Sequence, residues 1–325
     1  MSWVRVDDGV HVEVLFGSQS RGDHDQASDR DILIVDDRPA ALRRRAQILA
    51  QQGWSVAPYT YRKLEALAGR GALFVQHLKM EGKVLKDAHG RYSQIVSEFR
   101  PKQFYTNDIR ENARLAGLLT SQPQTGKGAL WAADVLYVAV RNFGVLWLAE
   151  QGEYTFSYRR IISQLIGKGL IEKEGESALL KLRLLKALYR SGEPVQRPVA
   201  HEAVAVALSA LPRRYFPALS EAIDPCAIVR RCTPLPEMAT AYSRLRNLEK
   251  AYVALVSLTG VGTEEGPLRE LDRWIKNPRA YAQAVIRNEC DVLAKIALEL
   301  QNKVGTHRGW RSKLSIWPGR HLSSC

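Results

Sequence analysis

The chain has 325 residues, 46% of them apolar and 25% charged, with a formal net charge of +13. That supply of apolar residues is enough for one large or two ordinary cores, and it excludes a disordered or low-complexity chain. The four cysteines, Cys226, Cys232, Cys290 and Cys325, are too scattered for a disulfide framework, and no Cys/His group has zinc spacing.

The cysteines therefore read as reduced thiols. No apolar run approaches the length of a membrane helix and the N-terminus does not read as a signal peptide, so the expectation is a cytoplasmic protein with no membrane partner. The charge is unevenly placed. Residues 1–90 hold 13 Lys/Arg against 12 Asp/Glu, and residues 91–325 hold 34 against 22. A basic second half points to a polyanionic partner, with RNA the first expectation. Basic residues spread over solvated helix faces would give the same count, and no aromatic RNA-binding signature accompanies the charge.

In chain order, residues 10–16 read as a strand, 17–28 as a loop with room for a short helix, and 29–36 as a second strand. A helix is expected from Pro39 to Gln52, with proline in its first turn and Gly53 just past its end. Arg43, Arg44 and Arg45 lie on it, and three adjacent positions cannot share one face, so most of this run should be solvated. Residues 54–59 give a short third strand, 60–69 and 72–82 two helices, and Lys83 to Lys86 an edge strand. From residue 91 strand-like alternation disappears. Helices are expected at 103–120, 128–151, 156–167, 173–191, 200–212, 236–258, 266–275 and 278–303, broken at Pro and Gly positions. There is no internal repeat. Thr125-Gly126-Lys127-Gly128 is not a P-loop, because it lacks the first glycine and the following Ser/Thr.

One stretch organises the chain: Phe16-Gly17-Ser18, ten residues, then Asp29-Arg30-Asp31 running into Ile32-Leu33-Ile34-Val35. Side chains at i and i+2 of a strand share a face, so Asp29 and Asp31 stand side by side. Two carboxylates that close suit a divalent cation. Mg²⁺ in particular takes one or two carboxylates, waters and substrate phosphates. Gly17 lets backbone approach a phosphate, and the Ser18 hydroxyl can donate to its oxygens. The plain alternative is a β-turn followed by an acidic surface loop.

These residues resemble the DNA polymerase β-type nucleotidyltransferase superfamily, and the ten-residue gap looks most like the minimal nucleotidyltransferases of prokaryotes. Arg21-Gly22, Ser28 and the segment Leu73 to Leu85 look like the family as well. The resemblance implies a small mixed-sheet core over residues 1–90, followed by a larger helical domain over 91–325: an α+β chain. It implies that Asp29 and Asp31 are catalytic and hold Mg²⁺ (or Mn²⁺), and that Gly17, Ser18 and Arg21 bind the nucleotide. Lys79 is a further candidate for the triphosphate, with pairing to Glu81 or solvent the plainer reading. His77 reads as a structural helix residue.

The family's third metal-binding carboxylate belongs on the third strand. That strand reads Trp54-Ser55-Val56-Ala57-Pro58-Tyr59, with no acid. Either Asp29 and Asp31 suffice, or Glu13, Glu81 or Asp87 substitutes, or the enzyme is weakened or inactive.

Helical domains that follow such cores often resemble the HEPN four-helix bundle. The resemblance is weak here and covers roughly residues 103–191. Arg141-Asn142 begins the ribonuclease pattern of that group, but no His follows on the same helix, which implies no ribonuclease. Asp134, on the apolar helix from Leu130 to Gln151 that should be the second domain's spine, is either an acceptor base or half of a charge pair. Arg183, Lys186 and Arg190 form a basic stripe at helical spacing. The tail after Gly305 carries Arg308, Trp310, Arg311, Lys313, Trp317 and Arg320, suited to gripping a phosphate backbone or to docking through its tryptophans.

The expected reaction is transfer of NMP from an NTP to an acceptor hydroxyl, first an RNA 3′ end, notably tRNA. A protein hydroxyl (AMPylation, as in toxin–antitoxin or other prokaryotic defence systems) comes second. A small molecule such as an aminoglycoside, or a second nucleotide, is also compatible with the family. The competing class is a catalytically degenerate nucleotide sensor or scaffold.

Overall fold

The computed structural model describes residues 10–22, 30–121, 123, 125–192, 197–216, 224–234, 241–259, 266–277, 280–281 and 290–306. Four strands form one sheet: β1 (Val12–Phe16), β2 (Asp31–Val35), β3 (Ser55–Tyr59) and β4 (Lys83–Asp87). Their order is β3-β2-β1-β4. β1 runs antiparallel to β2 and to β4, and β2 runs parallel to β3. The sheet is therefore mixed.

The strand sequences explain their places. β1 alternates, with Val12, Val14 and Phe16 buried and Glu13 and Leu15 half-buried on the other face. β2 is apolar at four consecutive positions, all buried, as a central strand covered on both sides must be. On one face Val12, Val14, Phe16, Leu33 and Val35 pack with Tyr61, Leu64, Val75, Leu78, Tyr92 and Phe99. On the other, Ile32 and Ile34 pack with Val10, Leu42 and Leu49. Truncating any one such side chain to Ala costs about 2–5 kcal/mol, and a one-residue register slip would misplace them all. Pro58 sits in β3, which is terminal in the described sheet, where a missing N–H is tolerated.

Helices α1 (Ser18–Arg21), α2 (Pro39–Gln51), α3 (Tyr61–Gly69), α4 (Leu73–Glu81) and α5 (Arg91–Glu98) surround the sheet. The expected strands and the helices around Pro39, at 60–69 and at 72–82 are all present. α5 is not anticipated by the sequence pattern: its short apolar face, Tyr92 and Ile95 with Phe99 just past its end, spans too few turns to stand out. Arg43 and Arg44 are exposed as expected, while Arg45 turns back and pairs with Glu13 at 2.7 Å.

The rest is helical: α6 (Thr106–Ala116) with a 3-10 turn (Gly117–Ser121), α7 (Gly126–Glu150), α8 (Tyr158–Gly167), α9 (Glu176–Ser191), α10 (Arg197–Ser209), α11 (Pro225–Cys232), α12 (Ala241–Thr259), α13 (Gly266–Lys276) and α14 (Cys290–Thr306). The fold is α+β, a small sheet followed by a helical region. α11 is a second omission of the sequence reading. The tail beyond residue 306 and most of 278–289 lie outside the described residues.

α7 corrects one expectation. It contains an apolar window long enough to cross a membrane, but 72% of that window is buried inside the protein. Nor is α7 the spine of a single domain. The chain clusters into one compact unit of residues 1–117, 135–187 and 203–217, and another of 118–134, 188–202 and 218–325. α7 contributes to both.

In the first unit, the Glu150 carboxylate accepts from the Tyr105 N–H at 2.7 Å, and the Asn112 amide donates to the Ala139 carbonyl at 2.7 Å. In the second unit, four charged side chains form a buried network. Asp134 accepts from Arg246 at 2.6 Å and from Arg190, and Arg246 also pairs with Glu249 at 2.9 Å. The Tyr189 and Tyr281 hydroxyls donate to Glu249 at 2.8 and 2.7 Å. Burial pushes both phenols well above their usual range. Asp134 is completely buried, so it is half of a charge pair and cannot serve as an acceptor base. Arg190, spent in the same network, drops out of the expected basic stripe.

Candidate active site

The site begins where β1 ends. Phe16 pairs directly with Asp31, so their side chains share a face. The next residue, Gly17, has φ 76° and ψ −154°, a conformation essentially reserved for glycine. It starts the single turn of α1, closed by Arg21 N–H to Gly17 O at 3.1 Å and Gly22 N–H to Ser18 O at 3.0 Å. A Cβ on Gly17 would lie 2.7 Å from Asp31 Oδ2. The Asp31 carboxylate thus rests against the bare Cα of the turn, with Ser18 next in the chain. Gly17, Ser18 and Asp31, separated by up to 14 positions in sequence, are brought together. Asp29 falls outside the described residues.

The β2–β3 register places Ser55 beside Asp31 and Ala57 beside Leu33. The position flanking Asp31 on the third strand is therefore a hydroxyl. Of the three acids considered as substitutes, Glu13 points to the opposite face and is held by Arg45 at 2.7 and 3.1 Å. Asp87 pairs with Val12, four residues from Phe16 and so about 13 Å along the strand from Asp31. Its Oδ2 accepts from Ser93 at the start of α5. Glu81 is the acid that comes to the Gly17–Arg21 turn. Its backbone carbonyl accepts from the buried Ser20 hydroxyl, and its Oε2 accepts from Arg21 at 2.5 Å.

The two cationic candidates differ. Arg21 lies on α1 with its guanidinium fixed beside the turn. Lys79 points elsewhere, donating to the Ser97 and Phe99 carbonyls at the end of α5, at 3.1 and 3.2 Å. The His77 ring is packed, edge-on to Phe16 and stacked on Phe156 at 4.3 Å. It also bonds Glu81 Oε2 through Nε2 at 2.7 Å. The i, i+4 spacing of His77 and Glu81 is a signal legible in sequence. The contribution of Phe156 is not.

Among the described residues no group of three or more His, Cys, Asp or Glu is arranged to hold a metal ion. The donor chemistry of Asp31, with Asp29 two residues before it in sequence, suits a hard oxygen-seeking divalent ion that keeps waters and takes substrate phosphates as further ligands.

Residues 8–104 match the model of the nucleotidyltransferase domain family. The chain thus carries a nucleotidyltransferase domain, of a kind consistent with the polymerase β-type core, and that domain contains the whole Gly17–Asp31 arrangement. No curated protein and no solved structure matches the chain.

Proposed function

We propose that the nucleotidyltransferase domain over residues 8–104 moves an NMP from an NTP to a hydroxyl of RNA, with the 3′ end of tRNA as the first candidate acceptor. The observation that carries the reading is the Asp31 carboxylate seated against the side-chain-free Cα of Gly17. It supports the reading because an acid suited to a divalent ion lies against a turn suited to phosphate.

Asp31 and Asp29 would hold the divalent ion, Mg²⁺ or Mn²⁺. When bound, the ion supplies charge neutralisation at the triphosphate and acidifies the attacking hydroxyl. The chain's own residues do the positioning. Gly17 admits the phosphates close to backbone, Ser18 donates to their oxygens, and Arg21 adds a fixed positive charge beside the turn. The acceptor hydroxyl attacks the α-phosphorus and pyrophosphate leaves, with no covalent enzyme intermediate. The excess of 34 Lys/Arg over 22 Asp/Glu in residues 91–325 supports a polyanionic acceptor.

The test is incubation with each NTP radiolabelled at its α-phosphate, total cellular RNA and protein, and Mg²⁺ or Mn²⁺, resolved on a gel. Label is expected in a tRNA-sized band, abolished by chelation and by Asp31→Ala. Label in a protein band instead would replace RNA with a protein acceptor. Label that survives Asp31→Ala would overturn the assignment of the metal site. A second reading rests on Ser55 beside Asp31: a domain that binds NTP without turning it over. Saturable NTP binding with no label in any fraction would favour it.

A further inference from the structure

The Gly17–Arg21 turn is not held by its own sequence alone. Four residues make one turn, too few to be stable in isolation. What fixes it is Glu81, sixty residues away at the end of α4. Its carbonyl accepts from Ser20 and its carboxylate accepts from Arg21 at 2.5 Å. Glu81 is itself closely constrained. The next residue, Gly82, meets β1 so tightly that a Cβ there would lie 3.1 Å from Val14 Cγ1 and 3.2 Å from the Tyr92 hydroxyl. The same Glu81 oxygen accepts from His77 Nε2 at 2.7 Å, and the His77 ring lies edge-on to Phe16 and stacked on Phe156. The side chains of Arg21, Glu81 and His77 are 16%, 11% and 9% exposed, so these bonds are shielded from competing water.

We propose that Glu81 and His77 are positioning residues for the nucleotide site. Glu81 orients the Arg21 guanidinium toward the bound triphosphate, His77 fixes the Glu81 carboxylate, and Phe156 fixes the His77 ring. The proposal rests on the triphosphate role given to Arg21 above and deepens it. A bare guanidinium on a one-turn helix would sample many rotamers, and each binding event would have to order it. The carboxylate removes that cost in advance. Phe156 lies outside the matched residues 8–104, so the helical part of the chain contributes one packing element to the nucleotide site.

The test is a KM-against-kcat comparison for NTP, together with direct titration of a non-hydrolysable NTP analogue, on Arg21→Ala, Glu81→Gln, His77→Leu, His77→Gln and the double variant Arg21→Ala/Glu81→Gln. Loss of a charge-assisted contact made equally in ground and transition states raises KM with kcat nearly unchanged. The expected rise is about tenfold for Glu81→Gln, in the range of one charged hydrogen bond. His77→Leu should show a smaller rise, and His77→Gln, whose amide can donate from the Nε2 position, should recover most of it. Because Glu81 acts through Arg21, the double variant should bind NTP no more weakly than Arg21→Ala alone.

Additive losses in the double variant, or unchanged NTP affinity in both Glu81→Gln and His77→Leu alongside a lowered melting temperature, would show Glu81 and His77 to be structural only. That failure is distinct from failure of the functional reading. In the latter case the wild-type chain itself would bind no NTP analogue.

Discussion

At the scale of single residues, the site depends on what is missing at position 17. The Asp31 carboxylate oxygen lies 2.7 Å from where a Cβ on Gly17 would sit, and the backbone there has φ 76°. Gly17→Ala therefore suffers twice: a strained backbone, costing about 1–3 kcal/mol, and a displaced carboxylate. The expected outcome is loss of most NMP transfer with a moderately lowered melting temperature, read by the labelling assay and thermal denaturation side by side. A variant that transfers at the wild-type rate would mean that the Asp31–Gly17 contact has no role in catalysis. Gly17, Ser18 and Asp31 were all legible in sequence, because Gly-Ser at a strand end and an acid at a strand start are local patterns. Glu81 is marked locally by its i, i+4 spacing to His77, but nothing local ties that pair to the Gly17–Arg21 turn. Of the acids Glu13, Glu81 and Asp87, only the tertiary structure shows which one meets the turn: Glu13 is held by Arg45, Asp87 lies at the far end of β1, and Glu81 bonds Arg21.

At the scale of elements, the junction of β2 with α2 holds a completely buried carboxylate, Asp36. Burial would raise its pKa, but the Arg38 N–H at 2.8 Å, the Arg38 guanidinium at 2.8 and 2.9 Å and His11 at 3.9 Å outweigh that and hold it below the usual range. A carboxyl depressed in the folded state stabilises the fold fully above its unfolded pKa of about 3.9. The contribution is lost as pH falls through the lower folded value. Stability measured by urea denaturation should therefore fall on the acid side of pH 4, and Asp36→Asn should flatten that acid limb while lowering stability at neutral pH. An acid limb identical in the two proteins would remove Asp36 as its cause. Most of the elements themselves could be read from the sequence. Period-two alternation marked β1, an unbroken apolar run marked β2, and Pro39 with Gly53 bracketed α2. α5 and α11 escaped because eight residues give too few repeats of a helical period to be distinguished from loop.

At the scale of the whole molecule, the second unit buries a charged network within its apolar packing. Asp134 and Glu249 are completely buried and hold Arg190 and Arg246. Asp134→Asn leaves two buried guanidiniums sharing Glu249, and should destabilise by about 3–5 kcal/mol, measured as a shift of the denaturation midpoint. A change below about 1 kcal/mol would mean that water or rearrangement compensates the network. The sequence by itself determined the α+β class, the order of the four strands along the chain, and the Gly17-Ser18 turn with an acid at the start of the next strand. Those features follow from patterns spanning one or two adjacent elements. Only the tertiary structure decided that Glu81 grips Arg21, that Phe156 stacks on the His77 ring, and that Arg190 and Asp134 neutralise each other inside the protein. Each of those joins residues 56 or more positions apart, and no helical or strand period spans such a distance.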